Sequence, residues 1–85
     1  MGKLSQLPNI GPVVEEQLNQ AGIFTEEDLK SAGSCKAWLK IQAFDESACI
    51  HRLLALEGAI RGVKKKDLPE DVKAELKEFY QWHKK

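Results

Sequence analysis

Leu4-Ser5-Gln6-Leu7-Pro8-Asn9-Ile10-Gly11-Pro12, near the amino end of an 85-residue chain, spaces Leu4, Leu7 and Ile10 by three and then turns. The spacing suits one face of a short opening helix that ends before Pro8, whose ring would clash with the preceding turn. Pro12 fits the first position of a second helix, because its fixed φ is already helical and its missing N–H is not needed there. Hydrophobic-x-x-hydrophobic-Pro-Gly-hydrophobic-Gly followed by a helix is the pattern of a helix-hairpin-helix unit. Here Asn9 stands where the first glycine would. Asn is one of the few non-glycine residues that accept a left-handed backbone, so the turn is expected to keep its shape.

Outward from the hairpin, the chain is punctuated into helices. The second helix runs to about Ala21, with Val14, Leu18 and Ala21 on one face, and Gly22 caps it. Thr25 with Asp28 three residues on forms a weak capping box, and Phe24 and Leu29 occupy the positions of a hydrophobic staple. They set the start of a helix from Glu26 to about Ala32. Gly33-Ser34 breaks that helix, and Ser34 is expected to cap the next, from Cys35 to about Ala43, which carries Trp38, Leu39 and Ile41.

A long helix is expected over about 46–62. Cys49, Leu53, Leu56, Ile60 and Val63 recur at 4-3-4-3 spacing as its buried stripe. His51, Ala55, Gly58 and Gly62 lie on another, less bulky face. Glycine inside a helix costs about 1 kcal/mol relative to Ala, so Gly58 is read as a site of close packing. After Lys64-Lys65-Lys66, Asp67 and Glu70 offer a further capping box for a last helix over about 68–82, with Val72, Leu76 and Phe79 inward and Trp82 near its end. No stretch alternates as a strand would. The expectation is an all-α fold, a compact bundle of five to six short helices in one domain over residues 1–85, with the hairpin unit over about 4–32.

The composition, 42% hydrophobic and 31% charged, is that of a globular chain. No apolar run approaches the ~18 residues of a membrane span and no signal-peptide pattern opens the chain, so the expected address is the cytoplasm. Cys35 and Cys49 are then expected as free thiols. Net charge is zero, but residues 1–33 hold two lysines against five acids, net −3, and residues 34–85 hold eleven basic residues against eight acids, net +3. Neutrality argues against strong non-specific nucleic-acid binding, while the asymmetry leaves room for a local basic patch.

Catalysis finds no support. Cys49 and His51 are two apart on a helix and point to different faces. No serine-histidine-acid set or working carboxylate pair is present, and neither a metal site nor a cofactor is expected. Two other readings stay open. One is direct DNA binding: backbone amides of Asn9, Ile10 and Gly11 could hold a phosphate, helped by Lys3 and by the cluster Arg61, Lys64, Lys65 and Lys66. Against it, Val13 and Val14 follow the Gly-Pro where DNA-binding hairpins commonly place a lysine. Glu15 and Glu16 would also repel the phosphate. The other reading is a protein-interaction module with no membrane partner, drawing on Trp38 and Trp82 as anchors and on the small-residue face at Ala55, Gly58 and Gly62. The bland alternatives are a hairpin that only packs, solvated lysines and core tryptophans.

Leu7-Pro8-Asn9-Ile10-Gly11-Pro12, Ala21-Gly22-Ile23 with Glu27-Asp28-Leu29, Leu54-Ala55-Leu56-Glu57-Gly58-Ala59-Ile60-Arg61-Gly62 and Asp67-Leu68-Pro69 together resemble the C-terminal domain of the TfoX/Sxy family. These proteins regulate natural competence for DNA transformation in bacteria. The resemblance spans about residues 4–80. It implies a compact helical domain related to the helix-hairpin-helix and a role in transcriptional regulation of competence genes, and it supplies no catalytic residue; the protein-interaction reading would then place the partner in the transcription machinery. Fuller members carry a separate N-terminal α/β domain that this chain lacks, so a free-standing relative or an isolated domain is expected.

Overall fold

The structure, a computed structural model, describes residues 4–45 and 48–84. Five α-helices form among them: α1 (Pro12–Gln20), α2 (Glu26–Ala32), α3 (Ser34–Gln42), α4 (Ile50–Arg61) and α5 (Glu70–His83). Short 3-10 turns at Leu4–Gln6 and Lys65–Asp67 complete the order, and no described residue is in a strand. The all-helical expectation holds.

The hairpin follows its local code. Asn9 takes the left-handed conformation at φ 69°, and Pro12 opens α1. The opening helix is a single 3-10 turn. Gly22, at φ 87°, ends α1 as a Schellman cap. The Ile23 N–H donates to the Leu18 carbonyl, and that of Gly22 to Asn19. Leu18 and Ile23 are both buried, which is the apolar contact such a cap requires. Gly62 repeats the device at the end of α4, with Val63 donating to Gly58 and Gly62 to Ala59.

Several boundaries move for tertiary reasons. The helix expected over about 46–62 is observed from Ile50; Ala48 and Cys49 lie outside it, and residues 46 and 47 are outside the described set. Cys49 is extended there because its carbonyl accepts the Trp38 indole N–H at 3.3 Å, while Ala48 is buried. The 14-residue α5 therefore exceeds the 12-residue α4. The last helix starts at Glu70 rather than 68, with no Asp67 cap: Leu68 precedes a proline, is held extended and is buried, which leaves Asp67 in the 3-10 turn. Ser34 does not cap α3 but is its first residue, and its hydroxyl donates to Glu57 Oε1 at 2.6 Å. Thr25 does cap α2, its Oγ1 accepting the Asp28 N–H at 3.0 Å, while Asp28 Oδ2 accepts the Phe24 N–H. The staple fails, however. Phe24 is 59% exposed, and Ile23 fills the inward position instead.

α3 sits centrally, packing closely on α4 and also meeting α1, α2 and α5. Leu4, Leu18, Leu29, Trp38, Ile41, Leu53 and Leu56 are fully buried and join in one core. Trp38 meets Phe79 and Tyr80 edge-on at 6.0 and 5.7 Å between ring centres, which seats α5 on α3. The radius of gyration, 11.6 Å, is close to the ~12 Å expected of one compact domain this long.

Candidate functional site

The two stretches singled out as DNA-binding candidates meet in space. Asn9, held left-handed in the hairpin turn, sends its side chain into the connection that follows α4. Its Nδ2 donates to the Val63 carbonyl at 3.0 Å and to the Ala55 carbonyl at 3.4 Å, and its Oδ1 accepts the Lys65 N–H at 3.1 Å. One side chain thus ties residues 46 to 56 positions away. Gly58 lies beneath this tie. A Cβ there would come within 2.5 Å of Asn9 Nδ2 and 2.7 Å of the Val63 carbonyl oxygen, so only glycine lets the hairpin sit so close.

Beside the tie, an open groove has Gln6 and Pro8 on the hairpin side and Gly62, Val63, Lys64, Lys66 and Asp67 on the other. Lys64, Lys65 and Lys66 are exposed and form no ion pair among the described residues. The remaining DNA-binding candidates separate from them. Arg61 is engaged by Glu57 one turn back on α4. The Ile10 N–H donates to the Leu7 carbonyl and Ile10 is buried, so it offers no free amide. Gly11 precedes α1 with an extended backbone, and Lys3 lies outside the described residues. Glu15 is not the exposed repulsive charge expected: it is 7% exposed, and its Oε2 accepts the Ser5 N–H at 3.3 Å, so it braces the hairpin from within.

Most of the partner-binding candidates are also internal. Trp38, Ala55 and Gly58 are buried, so none of them presents a surface, and Gly62 is the exposed left-handed cap of α4. Trp82 is different, 80% exposed at the end of α5. It borders a depression that includes Cys35, Leu76, Phe79 and His83, with Glu75 and Glu78 at its edge. His83 stacks on Phe79 at 4.1 Å, and its carbonyl accepts Gln42 Nε2 at 2.8 Å, so the end of α5 is anchored and not frayed. Burial pushes the Cys35 thiol above its ordinary pKa, with Glu57 and Glu75 adding to the rise against a hydrogen bond from Ser34. Glu57 goes the other way: burial opposes its charge, but the Ser34 hydroxyl and the Arg61 guanidinium outweigh that and hold its carboxyl below the ordinary value.

The Asn9 tie left only a weak trace in the sequence, an Asn where glycine was expected. The polar set of Gln17, Asp45 and Arg52, which joins α1 to α4 through bonds of 2.6 to 3.3 Å, left none. Among the described residues no group of His, Cys, Asp and Glu is placed to hold a metal, and no helix is long and apolar enough to cross a membrane.

Residues 1–80 match the model of the TfoX C-terminal domain, which is nearly the whole chain. The chain belongs to the TfoX C-terminal domain family. Two crystal structures from Listeria monocytogenes, one of an uncharacterized protein in a triclinic form and one of a protein of unknown function in a tetragonal form, are similar to it. Each is 49% identical. The first has a TM-score of 0.92 over 93% of this chain and 90% of that one, and the second 0.91 over 93% and 96%. No curated protein matches. Family membership relates this TfoX C-terminal domain to competence regulators.

Proposed function

We propose that this TfoX C-terminal domain is a non-catalytic regulatory module of the cytosol that docks onto a protein of the transcription machinery and so governs competence genes. The family relation supports the regulatory role. The docking surface rests on Trp82. A large aromatic ring left in water on an anchored helix end, beside the half-buried Phe79 and with a polar rim, has the make-up of an interface anchor.

The test is a photo-crosslinking residue placed at position 82 in living cells, with one at the exposed Lys36 as control. The position-82 probe is expected to capture a transcription component that the control does not. Trp82→Ala should lower transcription of the regulated genes while leaving stability within about 0.5 kcal/mol, as for other surface substitutions. Unchanged transcription in Trp82→Ala, with no adduct specific to position 82, would refute the docking reading.

A further inference from the structure

We infer that the groove between the hairpin turn and the Lys64–Lys66 turn is a seat for the phosphodiester backbone of a nucleic acid. The site differs from the one expected on the Asn9–Gly11 amides. There the Ile10 N–H is spent on Leu7, and the Asn9 side chain is spent on tying the two turns together. That tie is what makes the groove. By locking Lys65 through its backbone N–H, Asn9 fixes a turn in which Lys64 and Lys66 both border the groove, facing Gln6 and Pro8.

The charge pattern selects the ligand. Lys64, Lys65 and Lys66 form no ion pair among the described residues, a state they share with Lys36, Lys40, Lys77 and Lys84, but only these three stand consecutively and beside the groove. Asp67 also borders the groove, so two lysines leave a net positive charge suited to a singly charged phosphate. Lysine meets a phosphate as a point charge, and the one nearby arginine, whose fork suits phosphate and carboxylate alike, is held by Glu57, so the lysines carry the contact. A protein partner would want a buried apolar anchor. Pro8 and Val63 offer little of one, and a phosphate backbone needs none. The Trp82 end lies twelve residues along α5 from Glu70, ~18 Å at helical rise, so the groove stands or falls independently of the docking surface.

Fluorescence anisotropy of the full chain with a labelled DNA duplex, across a salt series from about 50 to 200 mM, tests it. Lys64→Ala/Lys66→Ala should weaken binding about tenfold at low salt and flatten the log–log salt slope by roughly 0.9 per lost contact. Asp67→Asn should tighten binding. The charge-matched Lys36→Ala/Lys77→Ala, at exposed positions on α3 and α5, should leave most of the affinity. Circular dichroism confirms that each variant is folded. The inference is overturned by absence of binding at low salt, or by equal losses in the two lysine pairs. Competition by poly-glutamate or by inorganic phosphate at the duplex's own charge concentration would also overturn it, because either would mark a site for any acidic chain or lone anion.

Discussion

Asn9 does two jobs that can be separated by substitution. Its backbone occupies the left-handed region, and its side chain makes three hydrogen bonds, one to α4 and two to the turn that follows it. Asn9→Gly keeps the first and removes the second, so it should destabilise the fold by about 1–3 kcal/mol, the cost of leaving part-buried partners unmatched. Asn9→Ala should lose a further ~1–2 kcal/mol, because alanine pays for the left-handed backbone. Urea unfolding of the two variants checks the order; equal losses would mean that the backbone conformation carries no cost. Glu57 supplies a pH signature. Its carboxyl is held below the ordinary 4.5 by Ser34 and Arg61 despite its burial. A depressed folded-state value means the stabilisation is complete above the unfolded value and is lost as pH falls through the folded one. Glu57→Gln should therefore lower stability at neutral pH and flatten its decline below about pH 4.5; parallel acid limbs for the variant and the parent would contradict this.

Within α4, two effects compete at Gly58. Alanine would be favoured by about 1 kcal/mol as a helix former. The added Cβ would meet the end of a movable side chain at 2.5 Å and a backbone carbonyl at 2.7 Å, and the carbonyl can yield only if the turn shifts. Overpacking of this kind costs about 1–3 kcal/mol, so Gly58→Ala should come out net destabilising. Because Asn9 supplies one of the two obstacles, Asn9→Gly/Gly58→Ala should cost less than the sum of the single variants, and a double-mutant cycle reads that coupling. Strict additivity would show that the two residues do not touch. The same helix shows why a pattern of small residues misleads. Ala55, Gly58 and Gly62 read as an open face, yet the first two are covered by the hairpin and only the cap glycine is exposed.

For the molecule as a whole, the turn of the hairpin is held to the bundle by the Asn9 tie and by Leu4 and Ile10 in the core, and its second helix by Leu18 and by Gln17 with Asp45 and Arg52. Loosening one of them should open the hairpin before the rest. In Asn9→Gly, amide exchange of Leu7, Ile10 and Glu15 should speed up more than that of Leu53 and Leu56 at the centre of α4. Uniform acceleration would instead mean that hairpin and bundle unfold as a single unit.

What could be read from the order of residues is what is encoded within four or five positions. Helical spacing, the Pro12 start, the Thr25 cap, the Gly22 stop and a left-handed Asn9 depend on neighbours along the chain, and all of them are found. Other features were decided by packing beyond that window, through partners 10, 11 and 56 positions away. Glu15 turned inward, Ile23 displaced Phe24, α4 began late because Trp38 holds Cys49, and the hairpin turn met the lysine turn through Asn9. Those outcomes depend on which polar groups find partners once the helices are packed, and local periodicity carries no record of that choice.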